Sequence, residues 1–386
     1  MVRRKTKLLY WTPFFLPDIG GIETLSAKLL PVLREQGYDI AVVTSHGKYD
    51  MADRTEFNGI PVLRFHTREA IGKRDLSQIL EIRAQISRLK QSFNPDLIHI
   101  HMSDPSVYFH LTTTAACSAP TILSIHQDIE CLGLKGDKDT LLGNVLRRAD
   151  WVTTVSKVIL SELLSIAPEI RRRSSVIYNG VDSTYIYPDP ISFDPPRILC
   201  LGRLIRTKGI DLAITAFASL LGRYPKARLT IVGEGPQRLE LERQVAGLGL
   251  ADSVDFTGVL SPAEIPSVLN QATVVLMPSR VEGFGIRALE AGQMARPVVA
   301  SSAGGLPEAI DHQLTGLIVE RENSLAIAEA VSFLLDNPEI ASSMGQAARS
   351  RVLQNFSLDR CVESYSGLYG RFIRGVPDSF VMMELT

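Results

Sequence analysis

The chain has 386 residues, of which 45% are hydrophobic and 22% are charged, and these values are typical of a globular protein. It carries 41 basic and 42 acidic residues, and the formal net charge of −1 excludes a globally basic nucleic-acid-binding protein. No apolar run approaches the roughly 18 residues that a transmembrane helix needs. We therefore expect a cytoplasmic protein. We also expect two domains, because a chain of this length exceeds what one hydrophobic core usually serves.

Short apolar runs alternate with longer amphipathic stretches through the first half of the chain. A loop with Gly20 and Gly21 separates the first run, 8–11, from a predicted helix over 22–36. The further predicted strands are 40–43, 62–65, 97–101, 121–125 and 151–155, and the further predicted helices are 76–93, 104–116 and 157–166. Strands that alternate with helices in this way indicate a parallel sheet covered on both faces.

Prolines crowd between 186 and 196, where neither a helix nor a central strand tolerates them, and we predict the linker there. The alternation restarts with a strand at 198–201 and continues to the end of the chain. Each half opens with a strand, a glycine-bearing loop and a helix, which is typical of Rossmann-like domains. The predicted organisation is an N-terminal domain over 1–187, a C-terminal domain over 197–370 and a tail over 371–386.

A glycine loop follows the apolar run 273–277 and precedes a predicted helix. Gly283 and Gly285 allow a ligand to approach the backbone, and the free N–H groups at the start of the helix favour an anion. Glu282 and Glu290 can accept hydrogen bonds from hydroxyl groups beside that anion. The combination predicts a site for a sugar phosphate, although two glutamates on a solvated helix would also fit the pattern without any ligand.

Four strings carry a resemblance to a known family. The order Glu-Gly-Phe-Gly at 282–285, Leu-Glu-Ala at 289–291, Pro-Val-Val-Ala at 297–300 and Gly-Gly-Leu-Pro-Glu at 304–308 resembles the signature of glycosyltransferase family 4. Members of that family are retaining nucleotide-sugar enzymes with the GT-B fold. The resemblance implies two Rossmann-like domains that face each other across a cleft, with the end of the chain crossing back to the first domain.

The resemblance also implies a role for individual residues. Glu282 would act on the transferred sugar, and the donor would be bound by Gly20, Gly21, Arg203, Lys208, Gly283, Phe284, Gly285 and Glu290. Arg203 and Lys208 lie in a loop that follows a predicted strand, and two cations there would neutralise a diphosphate leaving group without a metal ion. Basic residues in an exposed loop are often merely solvated, and that alternative stays open. We predict no metal site.

His126 follows a predicted strand, and the resemblance implies that it contacts the donor sugar and aids departure from the anomeric carbon. The chain has Gln127 between His126 and Asp128 where the family often has His-Asp, which puts the role of Asp128 in doubt. A metal site that includes His99 and His101 is an alternative, but a buried strand face with hydrogen-bonded imidazoles is favoured. Asp137 and Asp139 form a D-x-D string, which we discount because no apolar strand precedes it.

The function that the resemblance implies is retaining, metal-independent transfer of a hexose from a nucleoside diphosphate sugar to a sugar, glycolipid or small-molecule acceptor. No cofactor is expected, and a UDP-sugar is favoured over GDP-mannose as the donor. A nucleotide-sugar epimerase and a non-catalytic sugar-nucleotide-binding protein are the alternatives. A peripheral contact with the inner membrane face is left open because the chain has basic residues at Lys73, Arg74, Arg83, Arg88, Lys90 and 171–173. The sequence does not indicate an oligomeric state.

Overall fold

The structure is a computed structural model, and it describes residues 4–18, 20–102, 106–127, 140–182 and 187–374. These residues form two compact units. Unit 1 contains the described residues up to Tyr178 and those from Leu358 onward, and unit 2 contains those within Asn179–Ser357. Strands and helices alternate along both units, which confirms the predicted α/β class with two Rossmann-like domains.

Unit 1 is built on an eight-stranded sheet. Its strands are β1 (Thr6–Trp11), β2 (Tyr38–Ser45), β3 (Arg54–Phe57), β4 (Ile60–Phe65), β5 (Leu97–Met102), β6 (Thr121–Ile125), β7 (Trp151–Thr154) and β8 (Ser174–Val176). Their order is β3-β4-β2-β1-β5-β6-β7-β8, and the neighbouring strands are parallel except for β3 and β4. All six residues of β5 are buried, so His99 and His101 are polar groups inside the core.

Helices and short turns connect these strands. They are α1 (Gly21–Glu35), α2 (Thr67–Lys73), α3 (Leu76–Phe93), α4 (Ser106–Leu111), α5 (Leu141–Arg148), α6 (Lys157–Ile166) and the 3-10 turns Thr114–Ala116 and Pro168–Arg173. The start of α3 is capped by Asp75, whose carboxylate accepts a hydrogen bond of 3.0 Å from the Gln78 N–H. Leucines at helical spacing on α1 are buried against the sheet: Leu25, Leu29, Leu30 and Leu33.

Unit 2 is built on six parallel strands. They are β9 (Arg197–Leu201), β10 (Arg228–Val232), β11 (Val254–Gly258), β12 (Val274–Met277), β13 (Val298–Ser301) and β14 (Gly316–Val319), in the order β11-β10-β9-β12-β13-β14. Its helices are α7 (Ile210–Leu220), α8 (Arg238–Gly247), α9 (Ile265–Gln271), α10 (Ile286–Gln293), α11 (Leu306–Ala309), α12 (Ser324–Asp336) and α13 (Pro338–Asn355). Because β9 and β12 are neighbours and parallel, the loops that follow them lie side by side.

The last helix, α14 (Leu358–Arg374), belongs to unit 1. Tyr365 and Tyr369 of this helix are buried in the same apolar cluster as Tyr10 and Trp151. The chain therefore returns to unit 1 at Leu358, whereas the sequence placed the end of the second domain at 370. The predicted tail beyond residue 374 lies outside the described residues.

The proline-rich segment at 187–196 packs on unit 2 and does not act as a linker. The Asp189 N–H donates a hydrogen bond of 2.9 Å to the Asn270 side chain, and Arg296 donates one of 2.7 Å to the Asp189 carbonyl. Polar side chains of unit 2 thus satisfy a backbone that the prolines keep out of the sheet. The units divide after Tyr178, so the predicted first boundary at 187 was too late. Among the described residues, no helix has the length and apolar character needed to cross a membrane.

Candidate functional site

Lys208 lies in the loop between β9 and α7, in a 3-10 turn over Arg206–Lys208. The next residue, Gly209, has φ +66° and is the N-cap of α7. A Cβ atom at this position would lie 2.0 Å from the Pro278 carbonyl oxygen. Glycine is therefore required here for the loop after β9 to pack against the loop after β12.

Lys208 and Glu282 form an ion pair between these two loops. The Lys208 Nζ lies 2.6 Å from the Glu282 Oε2, and the Ser279 hydroxyl donates a hydrogen bond of 3.2 Å to the same oxygen. The side chains are 24% and 13% exposed, so the pair is largely buried but still reaches solvent. The structure thus brings together the predicted phosphate-binding cation and the predicted sugar-binding carboxylate.

Arg203 lies in the same loop as Lys208 and is exposed. Its guanidinium has no hydrogen-bond or ion-pair partner within the part of the chain that the structure describes. Two backbone hydrogen bonds fix this loop against the end of β10. The Leu204 N–H donates to the Glu234 carbonyl at 2.9 Å, and the Gly202 N–H donates to the Val232 carbonyl at 3.0 Å. A fixed loop with a free guanidinium can bind a phosphate group.

Arg280 is a positioning residue of this site that the sequence did not identify. Its guanidinium forms two hydrogen bonds of 2.7 Å to the Asp211 carboxylate, and its Nε lies 2.6 Å from a Glu322 oxygen. Its Nη1 also donates to the Arg206 carbonyl, and its backbone N–H donates to the Thr207 carbonyl. Arg280 therefore fastens the loop after β12 to the loop that carries Lys208.

The pKa values of Arg280 and Asp211 reflect the strong ion pair between them. The hydrogen bonds to Asp211 hold the pKa of Arg280 above its usual value, although burial opposes the shift. Burial alone would raise the pKa of Asp211, but the Arg280 hydrogen bonds prevail and the pKa is lowered. Both groups are therefore charged at neutral pH.

We predict that Arg280→Met lowers the free energy of unfolding of unit 2 by about 1–3 kcal/mol, because the Asp211 carboxylate loses its bidentate partner. The loss is limited because a third of the Asp211 side chain is exposed to water. Nucleoside diphosphate binding should also weaken, since the Lys208 loop loses its anchor. Chemical denaturation and calorimetric titration measure the two effects. Arg321→Met is the matched control, because Arg321 is exposed and has no described partner. Equal behaviour of the two variants would contradict the role of Arg280.

The loop that leads into α10 is held by packing within unit 2. Gly285 has φ +101°, and a Cβ atom there would lie 2.6 Å from the Leu306 Cδ2. The Phe284 side chain is 2% exposed and contacts the Phe356 ring edge to face at 5.4 Å. The Phe284 ring is thus a core anchor, and any donor contact at this residue would come from its backbone. No described side chain caps the N-terminus of α10, so the positive end of the helix dipole can face an anion.

Glu290 lies on α10 and forms an ion pair with Arg287. The Arg287 Nη1 is 2.5 Å from the Glu290 Oε2, and the glutamate side chain is 19% exposed. The predicted ribose-binding carboxylate is therefore oriented by a neighbour one turn away on the same helix. Its other oxygen has no described partner and can accept a hydrogen bond from a ligand hydroxyl group.

In unit 1, Gly20 and Gly21 lie at the start of α1, as predicted. A Cβ atom at Gly20 would lie 2.3 Å from a carboxylate oxygen of Glu23, which is 9% exposed and belongs to the first turn of α1. Glycine at this position thus accommodates the Glu23 side chain. A phosphate at the start of α1 would meet that negative charge, which the sequence analysis did not consider.

His126 follows β6 and belongs to a buried group of histidines in unit 1. Its Nε2 lies 2.7 Å from the His101 Nδ1, and its ring is 8% exposed. His99 uses both ring nitrogens, with Nδ1 at 2.6 Å from the Tyr369 hydroxyl and Nε2 at 2.7 Å from the Ser124 hydroxyl. The favoured interpretation of hydrogen-bonded imidazoles holds for His99, whereas His101 Nε2 has no described partner. Asp128, Asp137 and Asp139 lie outside the described residues.

Burial keeps this group of histidines neutral. Desolvation lowers the pKa of His126 to about 4. Desolvation, with a smaller contribution from neighbouring histidines, lowers the pKa values of His99 and His101 well below the ordinary value of 6.5. At pH 7 each imidazole therefore has one protonated and one unprotonated nitrogen.

A second cluster of possible metal ligands lies at the ends of β2 and β4. The ligand atoms of His46, Asp53 and His66 lie within 4.8 Å of one another, and His46 Nε2 is 3.0 Å from Asp53 Oδ1. The two imidazoles are stacked at 3.9 Å with their planes 8° apart. Nitrogen lone pairs lie in the ring plane, so parallel rings do not direct them at a common ion. The geometry indicates a hydrogen-bonded stack.

Two members of the basic patch that the sequence singled out have structural roles. Lys90 is 1% exposed, and its Nζ lies 2.9 Å from the Thr113 hydroxyl and 3.2 Å from the His110 Nδ1. Arg173 donates a hydrogen bond of 2.9 Å to the Leu146 carbonyl near the end of α5. These two residues are therefore not part of a surface that could contact lipid.

Both units match models of known protein families. Residues 19–185 match the model described as Glycosyltransferase Family 4, and residues 188–351 match the model described as Glycosyl transferases group 1. An uncharacterized glycosyltransferase of Methanocaldococcus jannaschii is 29% identical over 91% of this chain and 94% of its own length. The GDP-mannose-dependent alpha-(1-6)-phosphatidylinositol monomannoside mannosyltransferase of Mycobacterium tuberculosis is 36% identical over 56% of this chain and 61% of its own length.

Solved structures share the fold at low sequence identity. Sucrose-phosphate synthase from Thermosynechococcus elongatus has a TM-score of 0.81 at 21% identity, and the match covers 96% of this chain and 100% of that chain. Anabaena HepE in complex with UDP-glucose has a TM-score of 0.78 at 21% identity, with 94% and 99% covered. The shared architecture extends over nearly the whole chain in both cases.

Proposed function

Because this chain belongs to the glycosyltransferases of group 1 and family 4 and has their GT-B fold, we propose that it moves a hexose from a nucleoside diphosphate sugar to an acceptor hydroxyl group, with retention and without a metal ion. The alternatives of an epimerase and a non-catalytic binding protein receive no support from either family model. The acceptor would be a sugar, a glycolipid or a small molecule.

The observation that carries this proposal is the contact between Lys208 and Glu282. A nucleotide sugar places a negatively charged diphosphate next to neutral hydroxyl groups, and a site for it needs a cation beside a hydrogen-bond acceptor. The 2.6 Å pair provides both. Arg203 on the same loop and the uncapped start of α10 add positive charge on the phosphate side.

The reaction follows from these positions. The bond between the anomeric carbon and the phosphate oxygen breaks, and the electron pair stays on the diphosphate. Arg203, Lys208 and the start of α10 stabilise that developing charge. The acceptor hydroxyl attacks the anomeric carbon on the side of the leaving group, and its proton passes to the departing phosphate. We assign Glu282 to a hydroxyl of the transferred sugar and, as the resemblance implies, His126 to a contact with the donor sugar.

A thermal-shift series of nucleotide sugars tests the proposal, because a ligand that binds only the native state raises the melting temperature. We expect a UDP-sugar to raise the melting temperature more than GDP-mannose does. The mannosyltransferase relative is GDP-mannose-dependent and HepE was solved with UDP-glucose, so both bases belong in the series. Proton NMR of the product should then show an unchanged anomeric configuration. An inverted product, or free nucleotide without any acceptor product, would overturn the proposal.

We predict that Glu290→Ala weakens nucleoside diphosphate binding by roughly tenfold to a hundredfold, because the ribose loses a hydrogen bond to a charged group. Glu282→Ala should leave that affinity within a few-fold and lower turnover instead, since it faces the sugar. Calorimetric titration with the free nucleoside diphosphate separates the two. Glu329→Ala, on an exposed face of α12, is the control. Wild-type affinity in Glu290→Ala would contradict the ribose assignment.

We also propose a peripheral contact between α3 and an anionic membrane surface. Leu76 and Leu80 of this helix are 73% and 60% exposed, and the basic residues Arg74 and Arg88 are exposed nearby. Apolar side chains beside cations are typical of helices that bind anionic lipid. Co-sedimentation with vesicles that contain phosphatidylserine should exceed that with phosphatidylcholine alone and fall in Leu76→Ser. Equal sedimentation would exclude the contact. The cytoplasmic location stays a prediction.

A further inference from the structure

The hydrogen bond between His101 and His126 determines which nitrogen of His126 faces a ligand. It joins the Nδ1 of His101 to the Nε2 of His126 at 2.7 Å, and both imidazoles are buried. One of the two nitrogens must carry the shared proton. Because both rings are neutral, the position of that proton also fixes the state of the opposite nitrogen on each ring.

Two arrangements are possible, and burial distinguishes them. If His126 donated from Nε2, the proton of His101 would be on its own Nε2, which is buried and has no described partner. That arrangement leaves an orphaned N–H group in the core, and by analogy with backbone groups an unsatisfied donor is rarer than an unsatisfied acceptor. If His101 donates from Nδ1, its buried Nε2 has only a lone pair, and His126 is protonated on Nδ1.

The rings around His101 keep it in this orientation. The Tyr10 ring lies 4.6 Å from it and the His99 ring 4.2 Å from it, centroid to centroid. His99 in turn is bound at both nitrogens by the Tyr369 and Ser124 hydroxyls. His101 is thus enclosed by rings that are themselves fixed, whereas the Nδ1 of His126 has no partner among the described residues.

We infer that His101 is a positioning residue that holds His126 as the Nδ1–H tautomer, so that His126 donates a hydrogen bond to the donor sugar and does not act as a base. The assignment to a sugar rests on the proposed function, but the tautomer does not. A donor at this position can bind a hydroxyl oxygen of the sugar and so hold the sugar in the geometry in which the bond to the phosphate breaks.

The tautomer can be measured directly. Two-bond ¹H–¹⁵N spectra of protein labelled with ¹⁵N-histidine separate the two nitrogens of each imidazole, and the chain has 7 histidines to assign. We expect His126 to show a protonated Nδ1 and an unprotonated Nε2 at pH 7. A protonated Nε2, or a mixture of both forms, in the wild-type protein overturns the inference.

Two variants of His101 test its role. The amide of His101→Asn can donate to the His126 Nε2 from nearly the position of the original Nδ1, whereas His101→Leu cannot. We expect His101→Leu to give mixed His126 tautomers and roughly tenfold lower kcat, with unchanged nucleoside diphosphate affinity, and His101→Asn to restore both readouts. An unchanged His126 spectrum in His101→Leu, or no rescue by His101→Asn, overturns the inference. If no nucleotide sugar supports transfer, the proposed function fails while the spectra still decide the tautomer.

Discussion

Replacement of Lys208 or Arg203 by alanine is expected to lower sugar transfer by roughly a hundredfold to a thousandfold, by analogy with the loss of one preorganised oxyanion donor. The leaving diphosphate gains negative charge as the glycosidic bond breaks, so a cation near it stabilises the transition state more than the bound donor. Lys208→Ala also removes the cation that neutralises Glu282 and leaves the carboxylate with Ser279 as its described partner. Nucleoside diphosphate release measures the rate.

The neighbouring Arg206 supplies a matched control. It lies in the same 3-10 turn as Lys208, is exposed, and contributes its backbone carbonyl to Arg280. Arg206→Ala removes the same unit of charge and should change the rate only a few-fold. An equal loss in Arg206→Ala would indicate a general electrostatic effect of the loop.

The same assay with EDTA tests whether a metal ion takes part. If Arg203, Lys208 and the start of α10 neutralise the diphosphate, turnover should survive the chelator. Activity that is lost in EDTA and restored by manganese or magnesium would contradict this arrangement. Lys208→Arg should not restore the alanine defect, because a planar guanidinium cannot replace a point charge at 2.6 Å from Glu282.

Unit 1 is expected to lose stability steeply as the pH falls from about 6.5 towards 4, because its buried histidines bind protons only when it unfolds. Burial lowers the pKa of His126 to about 4 and, with the charge of Lys90, that of His110 to about 3, while His99 and His101 are also lowered. Each depressed group stabilises the folded state above its unfolded pKa and loses that contribution as the pH falls to its folded pKa. Within that window each such histidine lowers the free energy of unfolding by about 1.4 kcal/mol for every pH unit of acidification.

Tryptophan fluorescence can follow this transition selectively. The chain has 2 tryptophans, and both Trp11 and Trp151 are buried in unit 1. Denaturant titrations between pH 7 and 4.5 should therefore give the unfolding free energy of unit 1, and His110→Asn should reduce its slope with pH by the contribution of one histidine. His312→Asn, at an exposed position of unit 2, should leave the slope unchanged. A flat profile between pH 6.5 and 5 would show that these histidines are not neutral in the folded state.

Hydrophobic periodicity was sufficient to predict most of the strands. The prediction at 121–125 coincides with β6, and that at 97–101 ends one residue before β5 does. It missed β3, Arg54–Phe57, because this short strand at the edge of the sheet is half-exposed and polar. It also misplaced both unit boundaries. The first was placed too late because the prolines at 187–196 pack on unit 2 and do not form a linker. The second was placed too late because the hydrophobic period of α14 does not show which of the two sheets the helix covers.

Motif reading predicted the candidate site residues but could not show their partners. Lys208 and Glu282 are far apart in sequence, and only the parallel neighbours β9 and β12 bring them together. Arg280 lies two residues before the Glu-Gly-Phe-Gly string, yet its role depends on Asp211, which no local pattern identifies.

The placement of α14 has a consequence for synthesis on the ribosome. Unit 2 is one continuous stretch inserted between the two parts of unit 1, so its sheet can be completed before the chain is finished. Unit 1 cannot, because Tyr369 is the partner of His99 and is among the last described residues to emerge from the exit tunnel. A nascent chain stalled before Leu358 would therefore carry a finished second unit and a first unit with an open apolar face, which is the form that chaperones would bind and proteases would degrade.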